Sequence, residues 1–85
     1  MDNSKLYVGN LSYNTEDEAL KNKFSEAGEV KTAAVIRFKD SGRSKGFGFV
    51  EMADEAGAKK AIEMFDGKEL DGREIRVSVA RPKED

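Results

Sequence analysis

The sequence contains no cysteine, no histidine, no tryptophan and only one proline. Without cysteine there is no disulfide and no thiolate metal site, and without histidine the commonest general base and metal ligand is missing. We therefore expect no metal and no cofactor. No apolar run approaches the roughly 18 residues of a membrane span, and the first residues, MDNSK, lack the apolar core of a signal peptide. We predict a cytoplasmic protein with no membrane partner.

An excess of basic charge is also missing, because the 85 residues include 15 basic and 17 acidic ones, for a net charge of −2. This balance argues against a function that depends on phosphate attraction alone, although the position of each charge matters more than the total. The length suits one domain. We predict a single domain over residues 1–85, with a core at about 5–80 and a polar tail at 81–85.

Four strand-like segments and two helix-like segments follow one another in the order β-α-β-β-α-β. With right-handed crossovers, this order gives an α+β, ferredoxin-like fold: a four-stranded antiparallel sheet with both helices on one face. The other face of the sheet is left open. The predicted strands are residues 5–9, 30–38, 45–52 and 74–79.

Capping residues indicate where the helices begin and end. Thr15 and Glu18 have the spacing of a capping box, which predicts that the first helix starts at Glu16. Gly28 is placed to stop that helix, and Asp54 is placed to cap the second. Turns are predicted at Asp66-Gly67, at Asp71-Gly72 and in the polar loop 39–44, which contains Gly42.

Alternation along the first and third strands determines which side chains the open face carries, because successive residues of a strand point to opposite faces. Four aliphatic residues share one parity and suit a core beneath the helices: Leu6, Val8, Val50 and Met52. Three aromatic residues have the opposite parity and are predicted on the open face: Tyr7, Phe47 and Phe49. Antiparallel pairing would then bring Tyr7 beside Phe49.

The alternative is that the three aromatic residues form the core. That arrangement would expose Val8 and Val50 together and would bury Lys5 and Glu51. We therefore favour the uncovered aromatic patch, which needs a partner to remain soluble. Aromatic rings on an open sheet can stack on nucleobases, at about 1–3 kcal/mol for each stack. Single-stranded RNA offers unstacked bases, and single-stranded DNA is a second possible partner.

Two segments carry a family signature. Residues 45–52, KGFGFVEM, resemble the RNP1 octamer of the RNA-recognition motif family, and residues 6–11, LYVGNL, resemble its RNP2 hexamer. The resemblance extends over about residues 5–80 and is greatest to small single-domain bacterial and glycine-rich members. It implies an RNA-binding function without catalysis, on a ferredoxin-like fold.

The resemblance also implies a role for individual side chains. Tyr7 and Phe49 would stack on two successive bases, and Phe47 would pack against the riboses between them. Lys45, at the first position of the octamer, would contact a phosphate.

Two positions depart from the family pattern. Met52 stands where the family prefers Phe or Tyr, but its parity directs it to the core. Phe38 stands where many members carry Asp. It either extends the aromatic patch or caps the edge of the sheet, and the sequence leaves both alternatives open. In addition, Gly57 lies inside the second helix, at a cost of up to about 1 kcal/mol relative to Ala.

The charges suggest a domain that is acidic on its helices and basic on its front. The acidic residues on or beside the helices are Glu16, Asp17, Glu18, Glu26, Asp54, Glu55, Glu63 and Asp66. The basic residues expected near the open face are Lys5, Lys39, Arg43, Lys45, Arg76, Arg81 and Lys83. Arg76 would share that face with Ser78 if Ile75 and Val77 are core. Arg43 and Lys83 could equally be ordinary solvated charges.

Two other functions fit the fold class less well. An acylphosphatase-like enzyme needs a basic anion loop after the first strand, and residues 10–14 contain no Arg or Lys. Protein-binding relatives of the family typically lose the aromatic residues and carry Arg-x-Phe before the fourth strand. This first helix does begin with acidic residues, as theirs does, but residues 73–75 read REI. We therefore expect a non-catalytic, monomeric RNA-binding domain.

Overall fold

The computed structural model describes residues 4–80. The predicted order of elements is present, with one small hairpin in addition. The elements are β1 (Lys5–Gly9), α1 (Asp17–Phe24), β2 (Val30–Arg37), β3 (Ser44–Met52), α2 (Glu55–Phe65), β4 (Glu69–Leu70), β5 (Arg73–Glu74) and β6 (Arg76–Val79). Within the described residues, no helix is long and apolar enough to cross a membrane.

Strands β2, β3, β1 and β6 form the main sheet in that order, and every neighbouring pair is antiparallel. Helix α1 packs against β2, and α2 packs against β6 and β3. The fold is therefore the predicted ferredoxin-like arrangement. In the register of β1 against β3, Tyr7 lies opposite Phe49 and Lys5 opposite Glu51, as expected from the sequence.

The core lies between the sheet and the two helices. All four aliphatic residues predicted there, Leu6, Val8, Val50 and Met52, have no exposed surface. The helices contribute Phe24 and Phe65, whose ring centroids are 4.8 Å apart. The alternative with an aromatic core is therefore excluded, and the assignment of faces from strand parity is correct.

Both predicted ends of α1 are wrong. Glu16 is the N-cap, with extended backbone and no side-chain cap, and the helix begins one residue later than expected. The buried hydroxyl of Thr15 instead donates to the carboxylate of Asp71, at 2.7 Å. The predicted capping box does not form, because the Thr15 hydroxyl is bonded to Asp71, a residue far along the chain.

The helix ends at Phe24, well before Gly28. Beyond Phe24 the chain continues in tighter turns, in which the Ala27 N–H donates a hydrogen bond to the Phe24 carbonyl. Gly28 has no positive φ and serves in packing. A Cβ added to it would lie 3.4 Å from the Cα of Gly57. A side chain at Gly28 would therefore contact the backbone of α2, whereas a Cβ at Gly57 would lie 3.2 Å from Oδ1 of Asp54, the residue that caps this helix.

The loop between β2 and β3 covers residues 38–43, one residue earlier than predicted, and the predicted cap of α2 and the other two turns are present. The Asp54 side chain accepts a hydrogen bond from the Gly57 N–H at 2.7 Å and so caps α2. Gly67 follows the helix with φ of 80°. Asp71 and Gly72 also have positive φ, but they join β4 to β5. The fourth strand of the main sheet therefore begins two residues later than predicted.

Candidate nucleic-acid interface

Three neighbouring rings form an aromatic platform, Tyr7, Phe47 and Phe49, on the sheet face opposite the helices. The ring centroids are 5.7 Å apart for Tyr7 and Phe47, 5.8 Å for Tyr7 and Phe49, and 6.1 Å for Phe47 and Phe49. These are ordinary distances for interacting aromatic pairs. Tyr7 is 36% exposed and the two phenylalanines are half-buried. The platform thus offers ring surface to solvent while each ring is held by its neighbours.

Two glycines give the platform its shape. A Cβ on Gly9 would lie 2.8 Å from Cε2 of Tyr7, so the missing side chain lets the tyrosine ring lie along β1. A Cβ on Gly48 would lie 2.5 Å from the Ala34 carbonyl oxygen, which shows how closely β2 approaches β3 there. Sequence reasoning gave Gly9 no role in shaping the platform. Its position two residues after Tyr7, on the same strand face, was the available signal.

Two of the predicted cations lie over aromatic rings. The ammonium of Lys5 is 5.4 Å from the centroid of Phe49, at the edge of the platform. The ammonium of Lys45 is 5.2 Å from the centroid of Phe38. Both distances fall in the cation–π range. Lys45 therefore connects the RNP1-like segment with a fourth ring, outside the platform.

The remaining predicted residues occupy different places. Arg76 is exposed on β6 and pairs in register with Gly9, while Ile75 and Val77 are buried as expected. Arg43 is exposed in the loop between β2 and β3, where its carbonyl accepts the Phe38 N–H at 2.8 Å. Arg81 and Lys83 lie outside the described residues.

Phe38 follows the last residue of β2, next to a register shift in the pairing of β2 with β3. Its ring is 52% exposed. The exposed ring meets β3 through the ammonium of Lys45.

The acidic residues are not confined to the helices. Glu51 shares the open face and is half-buried, with one carboxylate oxygen 3.8 Å from the ammonium of Lys31. Asp17, at the start of α1, accepts a hydrogen bond from the Val35 N–H at 2.7 Å. It thereby occupies a backbone donor on the edge strand β2. Among residues 4–80, no cluster of three or more metal-ligating side chains is present.

Comparison with known proteins places this geometry in a family. The model of the RNA recognition motif matches residues 6–76. Glycine-rich RNA-binding protein 4, mitochondrial, of Arabidopsis thaliana is 53% identical over 77 residues, which are 91% of this chain and 57% of the relative. The glycine-rich relatives expected from the sequence are thus present. The chain spans 23% to 57% of the length of the first curated relatives it matches.

Solved structures agree with the sequence relatives. The crystal structure of RNA Binding Protein PG1 is 41% identical and has a TM-score of 0.89, with 96% of this chain and 99% of that chain covered. The SXL-lethal protein/RNA complex is 29% identical, with a TM-score of 0.91 and coverage of 98% and 50%. The chain belongs to the RNA recognition motif family.

Proposed function

We propose that the domain binds single-stranded RNA on the aromatic platform. Tyr7 and Phe49 stack on two successive bases, and Phe47 packs against the riboses between them. The observation that carries this proposal is the set of three adjacent rings that neither α1 nor α2 covers. A solvent-facing patch of this kind is costly without a partner, and flat bases match it.

Basic side chains around the platform contact the phosphates in this proposal. Lys5 and Arg76 lie at its edges, and Lys45 and Arg43 lie toward the loop between β2 and β3. Arg81 is assigned the same role from the sequence. With a net charge of −2, we expect few phosphate contacts and a modest affinity.

Relatives support an RNA ligand. One is named as a glycine-rich RNA-binding protein, and a structural neighbour at 29% identity was solved as a complex with RNA. Stacking does not require a 2′-hydroxyl, so single-stranded DNA is a weaker second ligand in this proposal. We further propose that the domain acts as a cytoplasmic monomer without catalytic activity.

Peptide binding on the same face is the main competing function. It would not require three intact rings at the RNP1-like and RNP2-like positions, and the Arg73-Glu74-Ile75 segment lacks the phenylalanine of the protein-binding relatives. The retained rings therefore favour RNA.

Competition binding tests the proposal. A fluorescent single-stranded RNA pool is bound to the domain and displaced with unlabelled single strands or with duplexes of the same sequence. We expect the single strands to displace it at much lower concentration, because paired bases cannot reach the sheet. Equal displacement by both forms would rule out stacking on the platform.

A further inference from the structure

The two outermost strands of the main sheet are β2 and β6. An outer strand presents backbone N–H and C=O groups that can pair with a strand of another molecule, and native proteins protect such edges. The middle of β2, residues 32–36, reads TAAVI and contains neither a charge nor a proline. Uncharged segments rich in β-branched residues pair readily between molecules. A domain that stays monomeric therefore needs protection at this edge.

A carboxylate from α1 closes the middle of the β2 edge. The Val35 N–H donates to Oδ1 of Asp17 at 2.7 Å and thus points away from β3. Asp17 is the first residue of α1, where the partial positive charge of a helix N-terminus also favours a carboxylate. A strand of a second molecule would have to displace this side chain before it could accept a hydrogen bond from the Val35 N–H.

The chain that follows α2 closes the β6 edge in a similar way. The Val77 N–H donates to Oδ1 of Asp66 at 3.0 Å. Next to β6, the Ile75 carbonyl accepts from the Gly67 N–H and the Ile75 N–H donates to the Lys68 carbonyl, both at 2.8 Å. Asp66 is the C-cap of α2, a position where the helix dipole disfavours a carboxylate. The hydrogen bond to β6 gives this acidic residue a role that offsets its position.

Charge at both ends of the uncharged segment adds to the protection of β2. Lys31 and Arg37 flank residues 32–36, and both are exposed. If the β2 strands of two molecules paired antiparallel about Ala34, Lys31 of one molecule would approach Arg37 of the other. Like charges that face each other across a strand pair are destabilising. These flanking charges therefore act in the same direction as the Asp17 carboxylate.

We propose that Asp17 and Asp66 are edge-protecting residues, whose carboxylates stop the outer strands from pairing with a second copy of this chain. The excluded partner is a second copy because two identical TAAVI segments can align with each other. Of the two edges, β2 depends more on its carboxylate, since backbone hydrogen bonds from residues 67–68 also cover the start of β6. Loss of Asp17 should therefore have the larger effect.

Self-association of the purified chain tests the proposal. Sedimentation over a concentration series measures the molecular mass of each variant, and we expect the wild type to stay monomeric. Asp17→Ala should associate at concentrations at least about tenfold lower than the wild type, because a symmetric pair no longer has to displace two charge-assisted hydrogen bonds. Asp66→Ala should shift association less. Asp17→Ser is a second version of the first variant, to be used if Asp17→Ala does not fold, because serine also suits a helix start.

Three matched variants separate the hydrogen bond from the charge. Asp17→Asn keeps an oxygen acceptor for the Val35 N–H and should stay monomeric. Glu18→Ala removes the same charge from an exposed neighbour in α1 and should also stay monomeric. Adding Ala33→Pro to Asp17→Ala should restore the monomer. Ala33 lies two residues before Val35, so its N–H faces the same edge, and proline removes that donor while being tolerated on outer strands.

Amide hydrogen exchange locates the contact. The Val35 N–H should be protected in the wild type by its bond to Asp17. In Asp17→Ala it should exchange faster in dilute solution and become protected again as the concentration rises. Association driven by unfolding would instead speed exchange throughout the core.

Several outcomes would overturn the proposal. A folded Asp17→Ala domain that is monomeric at every concentration would show that the carboxylate protects nothing. Equal association of Glu18→Ala would show that only the net charge matters, and a wild type that associates as readily as Asp17→Ala would remove any role for Asp17. Association without renewed protection of the Val35 N–H would place the contact elsewhere. None of these measurements involves RNA, so they are independent of the platform proposal.

Discussion

On β3, Val50 and Met52 point beneath the helices and have no exposed surface, whereas Phe47 and Phe49 point to the other side and meet solvent. The same strand therefore builds two surfaces with different physical roles. The covered face stabilises the fold, since each buried apolar side chain is removed from water. The open face keeps its rings accessible, so their apolar surface remains available to a ligand. Substitutions at the core-facing positions of β3 should therefore lower stability, and substitutions at its open-face aromatic positions should lower RNA affinity.

The largest effect is expected on the covered face. Met52→Ala should lower the free energy of unfolding by about 2–5 kcal/mol, because it leaves a cavity in a core site with no exposure. Thermal or urea melts measure this loss. At a temperature where the variant remains folded, its RNA affinity should equal that of the wild type. A folded Met52→Ala domain with weakened RNA binding would show that the two faces are coupled.

Phe49→Ala tests the open face of the same strand. It should lower RNA affinity by about 1–3 kcal/mol, because one stacking ring is removed, and should change thermal stability much less than Met52→Ala does. Fluorescence titration and melts on both variants provide the comparison. If Phe49→Ala unfolds the domain while Met52→Ala does not, the assignment of the two faces is inverted.

Salt dependence tests the open face as a whole. With two to four phosphate contacts, the logarithm of affinity should fall with the logarithm of salt concentration at a slope of about −1.5 to −3. Doubling the salt would then weaken binding only about three- to eightfold. Titrations over a salt series measure the slope. A slope steeper than about −5 would mean that cations outweigh the aromatic platform.

The face of the sheet to which each strand residue points could be predicted from the sequence, because successive side chains of a strand alternate between the two faces. Leu6 and Val8 on one strand and Val50 and Met52 on another gave one consistent core, and the register of Tyr7 with Phe49 followed from it. The cap of α2 was predictable for the same reason, since Asp54 and Gly57 lie within one helical turn.

Features that depend on distant partners were missed. Thr15 binds Asp71, 56 positions away, so its local capping pattern was misleading. Gly28 packs against Gly57 on another element, and no pattern within either segment indicates that approach. Tyr13 likewise lies near Gly46 only because the loop after β1 is fixed against β3, so the sequence around Tyr13 carried no signal of that contact.

The smallest expected effect is a gain of affinity. Glu51 is an acidic residue on the open face that also carries the aromatic platform and Lys5, and it is paired loosely with Lys31 at 3.8 Å. Glu51→Gln should strengthen RNA binding by at most about fivefold, because it removes repulsion of phosphate and releases Lys31. The gain is small because a solvent-accessible ion pair contributes only about 1 kcal/mol or less.

Glu63→Gln is the control. Glu63 is an exposed residue of α2, so this variant makes the same change in net charge on the helix side of the sheet. Titrations at low salt should show a larger gain for Glu51→Gln, and the difference should shrink at high salt as screening increases. Equal gains from the two variants would mean that RNA senses only the net charge and that the two sides of the domain are electrostatically equivalent.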